Sequence, residues 1–92
     1  MWIVTKDHFN KSPEDKQWNR TGYRSRDYKA GVKLSHRWRV LDDDGNVYHE
    51  GLSSSCDDDA AFDPQDDLGT PDVGATVIQY WVAGKGGGWK TL

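Results

Sequence analysis

Basic and aromatic side chains alternate along one stretch of the chain, between residues 18 and 39. Phosphate groups attract cations, and an unpaired base of any type can stack on an aromatic ring. This combination therefore favours a single-stranded nucleic-acid-binding site, whose candidate contact residues are Trp18, Arg20, Tyr23, Arg24, Arg26, Lys29, Arg37 and Arg39. The alternative is that the tryptophans of this stretch, Trp38 among them, belong to the core while the cations are solvated or paired with acidic residues, because no signature of a folded nucleic-acid-binding module accompanies them.

Carboxylates form a second candidate site, between residues 57 and 67. A rigid array of carboxylates can imitate the phosphates of a nucleic acid, or it can dock on a basic surface of a protein. Runs of like charge are more commonly solvated loops. We nevertheless predict a partner-binding acidic loop that consists of Asp57, Asp58, Asp59, Asp63, Asp66 and Asp67.

The two candidate sites reflect a separation of charge along the chain. Residues 1–41 carry ten Lys or Arg against four Asp or Glu, whereas residues 42–92 carry two against eleven. The two halves therefore carry net charges of +6 and −9, which sum to the small net charge of −3. Each half can recruit a partner of opposite charge, or the two halves can neutralise each other within a structural domain or a homodimer.

The sequence predicts neither an enzyme nor a metal or cofactor site. Cys56 is followed by three aspartates, which disfavour the thiolate that a nucleophile requires. The residues His8, His36 and His49 show no metal-ligand spacing. Glycines at 84–88 are not followed by the helix of a phosphate-binding P-loop. We therefore expect a non-enzymatic interaction module that binds a protein partner through its acidic loop, with single-stranded nucleic-acid binding through residues 18–39 as the alternative.

Five short segments bounded by turn residues favour β-strands: MWIVTKDHF, HRWRVLD, VYHEGL, TVIQYWVA and WKTL. Between the second and third, Gly45 can adopt the positive φ of a three-residue hairpin loop with a bulge. If Asp42 pairs with Asn46, alternation predicts the register of this hairpin. Trp38 then faces Glu50, Val40 faces Tyr48, and His49 lies beside Arg39 on the opposite face.

Helix is expected to be scarce. Ser12 is a suitable N-cap and Pro13 a suitable first helical residue, so Pro13 to about Asn19 is predicted to form two turns. A second short turn is predicted near Ser55 and is expected to stop at Pro64, within an irregular connection from Asp63 to Gly74. Residues 19–31 are also predicted to be irregular. The expected fold is mainly β, a small antiparallel sheet of about four or five strands with one short helix, with α+β as the alternative.

The bulk properties indicate one small domain, residues 1–92. A single cysteine excludes an intramolecular disulfide and gives no indication of an oxidising compartment. No segment approaches the ~18–20 apolar residues of a membrane span, and no basic region precedes an apolar run at the N-terminus. We expect a soluble, cytoplasmic protein without a membrane partner.

The segment RVLDDDGNVYHEG, followed by FDPQDDLGTPDVGATVIQYW, resembles small uncharacterised bacterial proteins carried on plasmids, phages and integrating elements. The resemblance covers roughly Arg39 to Trp81. It implies a β-hairpin, an aspartate-rich connection and a final strand in a protein of mobile elements, and it carries no known catalytic residue. The resemblance leaves the role open, although small inhibitors of host enzymes or defence complexes are common in that setting, and an inhibitor or nucleic-acid mimic is one form that a partner-binding acidic loop can take.

Overall fold

The computed structural model describes residues 1–8, 19–55, 61–69, 74–83 and 86–92. Five strands form one antiparallel sheet in the spatial order β1-β3-β2-β4-β5. The strands are β1 (Trp2–Asp7), β2 (His36–Leu41), β3 (Val47–Ser53), β4 (Val77–Val82) and β5 (Gly88–Thr91). The prediction of a mainly β, antiparallel fold is confirmed. The predicted helix from Pro13 lies, apart from Asn19, outside the described residues.

One face of the sheet is buried. Successive side chains of a strand point to opposite faces, so the register of the strands determines which residues meet in the core. In β2, for example, Trp38 and Val40 pair with Gly51 and His49 of β3. The core on this face consists of Trp2, Val4, Trp38, Val40, Ala61, Ala75, Ile78 and Tyr80.

Gly51 is required where Trp38 crosses the buried face. A Cβ atom at Gly51 would lie 2.1 Å from the carbonyl oxygen of Ile3 and 2.4 Å from Cζ2 of Trp38. Both distances are far below a van der Waals contact, and the carbonyl belongs to the backbone of the neighbouring strand. The glycine therefore allows the indole ring to lie directly against β3.

The predicted hairpin at Asp42 is confirmed. The backbone N–H of Asp42 donates to the carbonyl of Asn46 at 3.1 Å, and Gly45 has a φ of 86°. The Asp42 carboxylate accepts hydrogen bonds from the backbone N–H groups of Asp44 and Asn46 and from the hydroxyl of Tyr48. The carboxylate also accepts a hydrogen bond from Nδ2 of Asn46 at 2.9 Å. These bonds, first of all the one from the Asn46 side chain, lower the pKa of Asp42 to about 2.

The predicted register of this hairpin is wrong beyond its loop. Leu41 pairs with Val47 as expected from the loop, but Val40 pairs with His49, so Tyr48 is the extra residue of a β-bulge. The predicted pairs of Trp38 with Glu50 and of Val40 with Tyr48 do not form. After the bulge every residue of β3 lies on the other face: His49 is buried in the core, and Glu50 pairs with Arg39.

A short helical segment covers part of the buried face. Residues 61–64 are helical and lead into a π-helical turn, Gln65–Gly69, so the expectation that Pro64 ends the turn, and that residues 63–69 are irregular, is wrong. A proline is tolerated in the first turn of a helix because its missing N–H would have no partner there. The Tyr80 hydroxyl donates to the carbonyl of Ala61 at 2.8 Å and attaches the segment to the sheet.

Residues 22–25, predicted to be irregular, run along the outer edge of β1. The N–H of Val4 donates to the carbonyl of Tyr23 at 2.8 Å, and the N–H of Ser25 donates to the carbonyl of Trp2 at 3.0 Å. Arg24 forms an isolated bridge with Ile3. Residues 20–29, called the basic loop below, thus satisfy backbone groups that an exposed edge strand would leave unpaired.

Candidate functional site

The second face of the sheet, called the open face here, carries polar and aromatic side chains that are exposed or half-buried. Alternation places on it every second residue of the central strands, and apart from Leu41 at the end of β2 none of these side chains is buried. Trp81 is 42% exposed. The residues concerned are Arg37 and Arg39 of β2, Glu50 and Leu52 of β3, Gln79 and Trp81 of β4, and Trp89 of β5.

Two arginines and two tryptophans stack together on the open face, and we call them the arginine–tryptophan patch. Trp81 and Trp89 are cross-strand partners whose rings meet edge to face, with centroids 5.6 Å apart. The Cζ atom of Arg39 lies 4.2 Å from the Trp89 ring centroid, and that of Arg37 lies 5.3 Å from Trp89 and 5.6 Å from Trp81. At these distances a cation is attracted by the negative face of an indole ring, which contributes about 0.5–1 kcal/mol at an exposed site.

A chain of side-chain hydrogen bonds fixes the position of Arg39. Its Nε donates to Oε1 of Gln79 at 2.7 Å, and Nε2 of Gln79 donates to the hydroxyl of Thr91 at 2.8 Å. Burial lowers the pKa of Arg39, while Glu50 raises it and Arg37 lowers it further. Because a guanidinium does not lose its proton in proteins, the patch keeps its positive charges at all physiological pH values.

A histidine–carboxylate pair lies beside the patch. Nε2 of His8 is 2.5 Å from Oε2 of Glu50, and Nη2 of Arg37 is 3.8 Å from the other oxygen, Oε1. The hydroxyl of Thr5 donates to the carbonyl of Glu50 at 3.3 Å. The side chains of His8 and Glu50 are 34% and 21% exposed, so both remain accessible to a small ligand.

A shallow depression joins the pair to the patch. It has a volume of about 260 Å³ and is lined by Thr5, Lys6, Arg37, Glu50, Gly51 and Leu52. Arg37 belongs to both the depression and the patch, so a ligand in the depression lies next to the aromatic rings. The depression combines two cations with one carboxylate, which suits an anionic group that also carries hydrogen-bond donors.

The structure divides the predicted nucleic-acid-binding residues. Arg37 and Arg39 lie on the open face, while the others that are described, Arg20, Tyr23, Arg24, Arg26 and Lys29, lie on the basic loop beyond β1. Two of these arginines lie over tyrosine rings of the same loop. The Cζ atom of Arg20 is 5.7 Å from the Tyr23 ring centroid, and that of Arg24 is 4.9 Å from the Tyr28 ring centroid. Trp38 is fully buried in the core. Trp18 lies outside the described residues.

The predicted acidic site is only partly described. Asp63, Asp66 and Asp67 lie on the helical segment over the buried face, while Asp57, Asp58 and Asp59 lie outside the described residues. Burial raises the pKa of Asp63, and the charges of Asp67 and Asp66 raise it further. A cleft of about 550 Å³ is lined by Arg24 and Arg26 on one side of the chain's charge separation and by Asp63 and Asp67 on the other. The basic loop and the acidic helical segment are therefore neighbours in space.

Four residues of the open face were not identified from the sequence: Trp81, Trp89, His8 and Glu50. Alternation contained the signal for Trp81, since an apolar row of Ile78 and Tyr80 leaves Trp81 on the opposite side of β4. The pairing of β1 with β3, which brings His8 to Glu50 across 42 residues, has no local signal in the sequence.

Within the described ranges, no group of three or more histidine, cysteine, aspartate or glutamate side chains is placed to hold a metal ion. None of the helical turns in these ranges has the length or the apolar character needed to cross a membrane. No protein-family model, curated protein or solved structure matches the chain.

Proposed function

We propose that the protein binds single-stranded nucleic acid on its open face. The observation that carries the proposal is the arginine–tryptophan patch, in which two permanently charged guanidinium groups stack on a half-exposed pair of indole rings. The side chains of Arg37, Arg39 and Gln79 beside the rings are all at least partly accessible. The residue types on this face, arginine beside tryptophan, match the two chemical parts of a nucleotide, its phosphate and its base.

Each component of the patch has a counterpart in the ligand. A guanidinium recognises phosphate oxygens through its planar set of N–H donors. An indole ring stacks on a base, and such stacking contributes about 1–3 kcal/mol per base. Stacking of this kind requires an unpaired base, because the bases of a duplex already stack on one another and are inaccessible to a flat surface. The patch therefore favours a single strand over a duplex.

The charge of the whole molecule limits how far electrostatics can contribute. The net charge is −3, so attraction must come from the local cations rather than from the overall field. Each phosphate neutralised on a single strand contributes about −0.7 to the slope of log K against log salt concentration. Two phosphates, one for each arginine of the patch, predict a shallow slope of about −1.4.

The test is a titration with a mixed-sequence single-stranded oligonucleotide, followed by tryptophan fluorescence at low and moderate salt. A base that stacks on Trp81 quenches its emission, whereas the buried Trp38 does not respond. The variant Trp81→Ala is expected to bind about ten-fold more weakly or worse, since it removes one stacking platform. Circular dichroism confirms that the variant remains folded.

A matched pair of charge variants locates the surface. Arg37→Gln combined with Arg39→Gln removes two charges from the open face, and Arg24→Gln combined with Arg26→Gln removes two from the basic loop. We expect the first variant to lose binding and the second to retain it. The opposite result would assign binding to the loop, and wild-type protein that gives no quenching at low salt would refute the proposal.

A second candidate is docking of a basic protein partner on the acidic helical segment. Asp63, Asp66 and Asp67 lie together on this segment, and a cationic partner would relieve the repulsion among them, which adds to the effect of burial in raising the pKa of Asp63. An inhibitor of a host protein, a common type of small protein on mobile elements, would act in this way. Replacing the six aspartates of the acidic site by asparagine should then abolish capture of a host protein, and unchanged capture would contradict the candidate.

A further inference from the structure

The pair formed by His8 and Glu50 is oriented in a way that leaves one ring nitrogen able to accept a proton. A carboxylate only accepts hydrogen bonds, so the contact of 2.5 Å requires that Nε2 of His8 carries the hydrogen. In the neutral ring the other nitrogen, Nδ1, then carries the lone pair. A histidine held in this tautomer by a carboxylate is suited to act as a general base.

The cations beside this pair suit a phosphodiester. Lys6 and Arg37 line the depression next to Glu50, and Arg37 approaches the same carboxylate that contacts His8. Glu50 lines the depression and contacts His8, so a phosphate held by these two side chains would lie one side chain away from the imidazole ring. Fixed positive charges at this point stabilise the extra negative charge that develops on phosphate oxygens during a displacement at phosphorus.

The arginine–tryptophan patch supplies the remaining requirement, which is to hold the strand in place. Trp81 and Trp89 lie beside Arg37, on the side of the depression away from β1. A base stacked on these rings fixes the adjacent ribose and phosphate near the depression. The bound strand and the catalytic side chains then react as parts of one complex, so the step is effectively unimolecular.

We infer that the open face is a ribonuclease site, in which His8 is the general base, Glu50 is the residue that positions it, and Lys6 and Arg37 hold the scissile phosphate of an RNA strand. This inference rests on the proposed function, since the strand must first bind to the open face. His8 is the catalytic residue because it contacts the reacting hydroxyl. Glu50 acts only through His8.

The reaction needs no other reactant. Nδ1 of His8 takes the proton of a ribose 2′-hydroxyl, and the 2′-oxygen forms a bond to the adjacent phosphorus. The bond from phosphorus to the 5′-oxygen of the next nucleotide breaks, and that oxygen takes a proton from water. His8 returns its proton to the solvent, so the products are a 2′,3′-cyclic phosphate and a 5′-hydroxyl end. DNA has no 2′-hydroxyl, so it is bound but not cleaved.

The experiment uses two mixed-sequence oligonucleotides, one entirely of DNA and one with a single ribonucleotide at its centre. Full-length protein is incubated with each in the presence of EDTA, and mass spectrometry identifies the product ends. Binding is measured in parallel by the quenching of tryptophan fluorescence. We expect cleavage at the ribonucleotide alone, with a cyclic phosphate end, and equal binding of both strands.

Variants separate the site from a contaminating nuclease. His8→Ala, purified in parallel, should lose about 10²–10⁴-fold in rate and should recover part of it when imidazole is added. Glu50→Gln should lower kcat without raising KM, because it disturbs the base while Lys6 and Arg37 still hold the phosphate and lose a competing negative charge. Arg26→Gln on the basic loop is the control and should cleave as the wild type does.

Each other outcome is decisive. RNA that binds with quenching but remains intact would overturn the ribonuclease site and leave the binding proposal in place. Absence of both binding and cleavage would overturn the two together. Cleavage that is unchanged in His8→Ala would assign the activity to a contaminant and would likewise overturn the inference.

Discussion

The two faces of the sheet contain the same two arrangements of side chains in different surroundings. On the buried face, Trp2 and Trp38 meet edge to face with centroids 6.0 Å apart. On the open face, Trp81 and Trp89 do so at 5.6 Å. The first pair is surrounded by Val4, Ile78 and other apolar side chains of the core, whereas the second is surrounded by arginines.

A histidine and a carboxylate also meet on each face. His49 and Asp7 are 3.4 Å apart with both side chains inaccessible to solvent, and Asp7 also accepts the backbone N–H of Arg20 at 2.8 Å. His8 and Glu50 are 2.5 Å apart and both are accessible. Residue type alone therefore does not determine what such a pair can do. Access does, because a buried pair can only stabilise the fold while an accessible pair can also meet a ligand.

The largest expected difference between the faces concerns their tryptophans. Trp38→Ala should reduce the free energy of unfolding by about 3–5 kcal/mol, because it leaves a cavity in the core. Trp81→Ala should reduce it by about 1 kcal/mol, the value of one aromatic pair, because solvent fills the space. Urea unfolding followed by circular dichroism measures both. Equal losses would show that the open face is part of the folding core.

Next in size is the effect of adding a methyl group to a strand glycine. Gly51→Ala should destabilise the protein by about 1–3 kcal/mol or more, because the new Cβ meets the backbone of Ile3 and the ring of Trp38. Gly88→Ala is the matched control, since no atom lies within 4 Å of its Cβ position. It should be neutral, or stabilising by about 0.5 kcal/mol. Thermal unfolding of both variants tests the prediction, and a stable Gly51→Ala protein would contradict the packing described for Trp38.

The two histidines should also respond differently. His49→Ala leaves the buried carboxylate of Asp7 with one charged or polar neighbour fewer, and we expect a loss of about 1–3 kcal/mol. His8→Ala breaks an accessible pair and should cost less than about 1 kcal/mol. Denaturant midpoints at neutral pH provide the comparison. If His8→Ala were the more destabilising variant, its pair with Glu50 would be structural.

The smallest effect on stability is expected when the Asp42 carboxylate of the hairpin is protonated at low pH. The pKa of Asp42 is lowered to about 2 in the folded protein, from an unfolded value near the ordinary 3.8. Its contribution to stability is therefore fully present above the unfolded pKa and is lost as the pH falls toward about 2. The difference in unfolding midpoint between wild type and Asp42→Asn should shrink across this range. A difference that stays constant from pH 5 to pH 2 would contradict the role of the carboxylate.

Local patterns were sufficient to predict the strands and the hairpin. Asp42, Gly45 and Asn46 define a tight loop through their own chemistry, and the flanking β-branched and aromatic residues identify the strands. The helical segment at Pro64 was misjudged because a proline ends a helix only when it lies beyond the first turn. In both cases the relevant information lies within a few residues of sequence.

The candidate site could not be predicted in the same way. Its position depends on the strand order β1-β3-β2-β4-β5, which brings His8 to Glu50 and Arg37 to Trp81, and on the bulge at Tyr48. Strand order is decided by packing energies summed over the whole sheet, and a bulge by a local choice between two registers of similar energy. Neither the strand order nor the bulge can therefore be predicted from the composition of a single segment.

The extra residue at Tyr48 has an evolutionary consequence. Because orientation alternates along a strand, one inserted residue exchanges the faces of all the residues that follow it up to the end of β3. Without it, Glu50 would point into the core and His49 toward the solvent, although neither residue had mutated. A single codon gained or lost at the hairpin is therefore enough to create or abolish an accessible carboxylate in the middle of the sheet.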